Sequence, residues 1–188
     1  MKNKRIFSKR YKELFFVLFR YILLLLILFF GLDLIYIFIK PLTIKVVFFI
    51  LNIFYEVSLN ENIIIIDKLS YISLVEACIA GSAYLLLLIL NLTTPLKRDI
   101  RIKSIAYSFI LLFVINVIRI VFLSVLYHEQ KSYFEFSHAF LWYGLSTIFV
   151  IIIWILTIKK FKIKIIPVYT DIVCLKRISF YRNKLLKL

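Results

Sequence analysis

Glycine and proline are scarce, with three of each in 188 residues, so there is no glycine-rich loop to cradle a phosphate and no flexible low-complexity linker. No internal repeat is discernible. Cysteine is scarcer still: Cys78 and Cys174 are the only two, and the topology implied by the charge pattern places them on opposite sides of a bilayer, which excludes a disulfide between them. Two histidines and ten acids make a poor set of metal ligands. Neither a metal nor another cofactor is expected.

What the chain has in excess is apolar surface. It is 63% hydrophobic and 18% aromatic, with a mean hydropathy of +0.99, more than a soluble fold of this size can bury. It also carries 25 Lys and Arg against 10 acids. That charge sits in the gaps between apolar runs rather than across faces, the pattern of membrane topology and not of a nucleic-acid surface.

A helix needs about 20 apolar residues to cross the hydrocarbon core. Four stretches qualify: about Phe15 to Ile39, which contains Arg20 and Asp33; about Ala77 to Leu96, without formal charge; Ser104 to Tyr127, interrupted only by Arg119; and about Phe136 to Ile158, again uncharged. Residues 1–13 hold six Lys and Arg, 97–103 hold four, and the tail after Ile158 holds nine. These segments are expected in the cytoplasm. Segments 56–76 and 128–135 hold six acids against Lys68 and Lys131 and are expected outside.

Pro41 to Tyr55 is short, and a full crossing there would put the next segment on the wrong side of the membrane. It reads as an interfacial or re-entrant helix on the outer face. Ile63 to Ile66 and Tyr71 to Val75, separated by a polar turn, suggest a small outer β-hairpin that delivers the chain to Cys78. The basic N-terminus and first apolar run resemble a signal peptide, but the run is long and lacks a small-residue cleavage site, so a retained anchor is expected. The expected fold class is therefore an all-α integral membrane protein. It is a polytopic bundle of four transmembrane helices with one interfacial or re-entrant segment and a small hairpin, flanked by basic cytoplasmic termini at 1–13 and 159–188.

An ionisable side chain inside a membrane helix is costly and by default functional. Arg119 lies eight residues before the end of its span, roughly 12 Å below the surface by helix rise, and Asn116 is three residues earlier on the same face. Cys78 begins the second span and His138 the fourth, so three helices bring a thiol, a guanidinium and an imidazole to the outer side. Each has a plainer reading: Cys78 as a small hydrophobe, His138 as an interfacial residue, and Arg119 as a neutralising partner for Asp33. Together they have the parts of a thiol acyl-transfer site. A helix N-terminus and a nearby cation lower a thiol's pKa; His138 can take and return a proton; Arg119 can stabilise the thiolate or an oxyanion.

These residues, in this order, resemble the exosortase/archaeosortase family of multi-pass membrane cysteine transpeptidases. Leu74 to Ser82 (LVEACIAGS) is similar to the family's nucleophile segment, Asn116 to Ile120 (NVIRI) to its arginine segment, and Ser137-His138 leading to Trp142-Tyr143 to its histidine segment. The resemblance covers roughly residues 40 to 158, within a transmembrane domain at 14–158, and is strongest to the archaeal branch, of pacearchaeosortase type. One departure stands out. Many family members follow the Cys with Ser or Thr and then Gly, whereas here Ile79 and Ala80 precede Gly81.

The resemblance implies a protein-sorting enzyme in the cell membrane with its site facing outward. Its partners are exported proteins that carry a C-terminal signal made of a short motif, a membrane helix and a basic cluster. Cleavage would pass through an acyl-enzyme on Cys78, and the acceptor would be a lipid-linked amine. Cys78, Arg119 and His138 are the expected catalytic residues, with Asn116 in support. His128, beside Glu129, is the rival histidine, and Cys174 receives no role. Two other readings stay open: a non-enzymatic transporter subunit or assembly factor, and a lipid-phosphate enzyme using Arg119 and His138.

Overall fold

The computed structural model describes residues 2–94, 96–130, 132–141 and 146–163, with the backbone alone for 2–21. Cys174, Trp142, Tyr143 and the basic tail beyond 163 lie outside the described residues. In chain order the elements are α1 (Lys2–Leu51), β1 (Val57–Asn60), β2 (Ile63–Ile66), β3 (Ser70–Ser73), a 3-10 turn (Glu76–Ile79), α2 (Gly81–Thr93), α3 (Arg98–His128), α4 (Phe134–Ala139) and α5 (Ser146–Phe161). Two stretches, Ile22–Leu51 in α1 and Arg98–His128, are long and apolar enough to cross a membrane. Helices α1, α2, α3 and α5 pack as a bundle. Large side chains such as Phe29, Phe30, Phe38 and Phe49 stay exposed on its outside. In water such surface would be a liability; against lipid it is matched.

The separate re-entrant segment does not form. Residues 41–51 continue α1 without interruption, with Pro41 inside the helix. Proline removes one backbone donor, yet the flanking turns hold. The Thr43 hydroxyl donates to the Ile39 carbonyl at 2.8 Å, and Ile44, Val47 and Leu51 form a buried stripe at helical spacing. Packing outweighs the local penalty.

Past Leu51 the chain enters a three-stranded antiparallel sheet of order β1-β2-β3, one strand more than a two-stranded hairpin. Along β2, Ile64 and Ile66 are buried while Ile63 and Ile65 are not, the period-two signature of a strand covering a core. The buried pair joins Ile44, Val47, Leu51, Leu74, Val117 and Ile120 in one cluster. A second cluster unites α1, α2, α3 and α5 through Ile35, Tyr84, Leu85, Leu87, Leu112, Val150 and Ile153. At the far end of α2, the amide of Asn91 donates to the Leu87 carbonyl and to the Ser108 hydroxyl, and its oxygen accepts from the Ser104 hydroxyl. These buried bonds tie α2 to α3.

Two further boundaries differ from the apolar runs. Helix α2 starts at Gly81, so Cys78 lies in the 3-10 turn ahead of it, outside the long helices. His138 belongs to the last turn of the short α4 rather than to the start of α5. The turn needs a reversal that a continuous helix does not supply. Ala80 supplies it in the left-handed region, φ 60° and ψ 37°, and Gly81 then sits so close to α1 that a Cβ there would meet the Tyr36 ring at 2.6 Å.

Both residues are testable by thermal denaturation in detergent. Gly81→Ala is expected to destabilise by about 2 kcal/mol through overpacking on Tyr36, whereas Ala80→Gly relieves the left-handed strain and is expected to stabilise by about 1 kcal/mol.

Candidate functional site

Cys78 is half-buried at the junction of the sheet and the bundle. Its amide N–H donates to the Val75 carbonyl at 2.9 Å, closing the 3-10 turn. Its own carbonyl is the focus of the site. The Asn116 amide donates to it at 3.1 Å and the Arg119 Nη2 at 3.1 Å. Asn116 and Arg119 are one helical turn apart on α3, so a single face grips one backbone oxygen with two donors, one of them charged. Arg119 is only 9% exposed, and Asp33 is exposed on α1.

Beside this junction lies an open cleft of about 180 Å³. Cys78, Arg119 and His138 all border it, so the thiol, guanidinium and imidazole share one space. Its walls are β3 on one side, α3 through Ile120, Leu123 and Tyr127 on another, and α4 through Phe134. His138 stacks on Phe134, with ring centroids 5.8 Å apart and planes 10° from parallel. A four-residue offset on α4 produces that pair. It turns the imidazole to the cleft.

Burial pushes the Cys78 thiol above its ordinary pKa; the Arg119 guanidinium and a backbone hydrogen bond at Val75 pull it down, but less strongly. The net direction is opposite to the lowering expected from a helix N-terminus and a cation. The turn explains why. With α2 beginning three residues later, Cys78 does not occupy its first turn, and desolvation of the thiolate dominates.

His128 does not border the cleft. Its Nδ1 meets the Ser70 hydroxyl at 3.0 Å, its Nε2 meets the Asp67 carboxylate at 3.1 Å, and its ring packs edge-on to Tyr55 at 5.0 Å. Asp67 also accepts from the Glu56 amide at 3.1 Å. His128 therefore pins the β2–β3 turn to the end of α3. Among the described residues there is no group of three or more His, Cys, Asp and Glu placed to hold a metal ion.

Sequence reasoning did not single out the β3 wall or the Tyr36–Gly81 contact. The β-rich run before Cys78 was the available signal for the first; nothing in the sequence signals the second.

The site is thus an open cleft beside a half-buried cysteine whose carbonyl is gripped from a neighbouring apolar helix by an Asn-x-x-Arg pair. The sequence profile of the transmembrane exosortases (Exosortase_EpsH) matches residues 7–158, and the chain belongs to that family. No curated protein and no solved structure matches it.

The elevated thiol gives a measurable pH response. Alkylation of Cys78 by iodoacetamide, followed by peptide mass spectrometry, is expected to keep accelerating above the ordinary thiol range near pH 8.5. In Arg119→Met the profile should move to still higher pH, because the charge that opposes burial is gone. An unmoved profile would show that the guanidinium does not act on the thiol.

Proposed function

We propose that this exosortase-family protein is a membrane-embedded cysteine transpeptidase that cleaves the C-terminal sorting signal of exported proteins and transfers them to a lipid-linked amine. The observation that carries the reading is the shared cleft of Cys78, Arg119 and His138, with Asn116 and Arg119 anchoring the nucleophile's own carbonyl.

In this scheme His138 accepts the thiol proton of Cys78, and the thiolate attacks the carbonyl carbon of the scissile amide. The charge that develops on the oxygen is met by the Arg119 guanidinium. The C–N bond then breaks, His138 returns its proton to the departing amine, and an acyl-thioester remains on Cys78. An acceptor amine attacks that thioester, loses a proton to His138, and leaves with the new amide as the thiol is restored. Asn116 forms no bond to substrate in this account; it holds the turn.

The site faces outward in the proposed topology, with both termini in the cytoplasm. Four crossings, by α1, α2, α3 and α5, place the ends of α1 and α3 and the starts of α2 and α5 on the side of the cleft. The basic residues at 97–103 and 159–162 then fall on the opposite side, as the charge rule requires. We further propose that the chain belongs to the archaeal branch of the family.

Processing of a co-expressed tagged substrate tests the assignment. Cys78→Ala and Cys78→Ser are expected to abolish processing, and Arg119→Ala and His138→Ala to reduce it at least 100-fold, on the scale of a lost general base or charge stabiliser. Intact processing by Cys78→Ala would end the transpeptidase reading; the same result with loss in Arg119→Ala would indicate phosphate chemistry.

A further inference from the structure

Four consecutive residues, Tyr71 to Leu74, border the cleft that holds Cys78 and His138. A strand that turns one face to a cavity contributes alternate residues. Four in a row mark a strand that presents its backbone edge.

Sheet order leaves β3 with one unpaired side, and the phase of the ladder says which groups lie on it. Leu74 N–H donates to the Asn62 carbonyl at 3.2 Å, so this pair is hydrogen-bonded. Counting by two along the register, Ile72 with Ile64 and Ser70 with Ile66 are the next hydrogen-bonded pairs. The amide and carbonyl groups of Tyr71 and Ser73 therefore point away from β2. Among the described residues neither meets a backbone group of another segment, and both residues are exposed. No proline or charged residue blunts the edge between Ser70 and Ser73, although exposed edges are usually protected in this way.

We infer that the polypeptide substrate binds as a fourth strand on this edge, and the inference rests on the transpeptidase reading above. Beyond Ser73 the chain runs through Leu74 and Val75 directly into the turn that bears Cys78. A peptide in register with Tyr71 and Ser73 is thereby led along the cleft to the thiol. Backbone bonds to the edge give affinity without reading sequence. Selectivity comes from the facing wall of Ile120, Leu123, Tyr127 and Phe134, which accepts apolar side chains at every second substrate position. The substrate class is an extended peptide with that alternation beside the scissile bond.

The test uses the full-length protein in membranes with a co-expressed tagged exported protein carrying a short motif, a membrane helix and a basic cluster. Ser73→Pro deletes one edge donor and no ladder bond to β2. It is expected to slow processing at least ten-fold. Leu59→Pro makes the same change on the opposite edge of the sheet, where the Asp67 N–H bond to the Glu56 carbonyl makes Ser58 and Ile65 the next hydrogen-bonded pair and leaves the Leu59 N–H facing outward, and should process at the wild-type rate. A benzophenone side chain placed at 71 or at 73 in Cys78→Ala, which holds the substrate uncleaved, should crosslink to substrate residues two positions apart. Wild-type processing by Ser73→Pro overturns the inference. So do crosslinks without the two-residue offset, which read the register even where a proline loosens the sheet. Failure of the transpeptidase reading has a different mark, processing by Cys78→Ala itself, and the crosslink map then decides the strand on its own.

Discussion

The arrangement depends on what a guanidinium finds when it is buried among apolar helices. Arg119 carries a charge that the surrounding Leu, Ile and Phe cannot solvate, and an unpartnered charge there would be prohibitive. Part of its requirement is met by the carbonyl of Cys78, to which Asn116 also donates. The same two bonds fix the turn that carries the thiol. The polar pair on α3 is thus a positioning device for Cys78 as well as a source of charge beside its thiol. Removing either donor leaves the carbonyl held by the other alone, and this makes the grip sensitive to small changes.

Holding that turn has local consequences on both flanks. Downstream, the backbone must reverse through Ala80 in the left-handed region before Gly81 can pass against Tyr36. Upstream, β3 must stop at Ser73 and let Leu74 enter the core between α1 and α3. His128 and Asp67 secure the other end of the sheet to α3. The sheet is therefore tied down at two points, which keeps one of its walls in place beside the thiol. The thiol itself is half-buried, and burial raises it further than Arg119 lowers it. In the proposed transpeptidase mechanism, such a thiol gains most when a base in the cleft takes its proton.

Much of this was legible in the residues because lipid imposes simple rules. Helices α2, α3 and α5 overlap apolar runs that hydropathy marks, and Arg119 stands out as an ionisable residue in such a run. Asn116, one turn away, could be paired with it by helical spacing alone. Boundaries were harder to read. Pro41 has the look of a break, but the Ile44, Val47 and Leu51 stripe carries α1 past it. The uncharged run from Phe136 hides the end of α4 near His138, since apolar composition does not distinguish one helix from two. The reversal at Ala80 leaves no trace at all, because an alanine in the left-handed region is read as an ordinary helix former. His128 and His138, set apart in the sequence by the Ser137-His138 segment, also differ in three-dimensional company: one is clamped by Asp67 and Ser70, the other borders the cleft.

The proposed transpeptidase mechanism requires a covalent bond at Cys78. Intact-mass and peptide mass spectrometry of the wild-type protein, recovered from membranes after co-expression with a tagged substrate and quenched in acid, measure it directly. An acyl-enzyme would appear as an adduct on Cys78 carrying the mass of the substrate's N-terminal acyl portion, released by hydroxylamine as a thioester should be and absent from Cys78→Ser. Active processing with an unmodified Cys78, or an adduct that persists in Cys78→Ser, would contradict it.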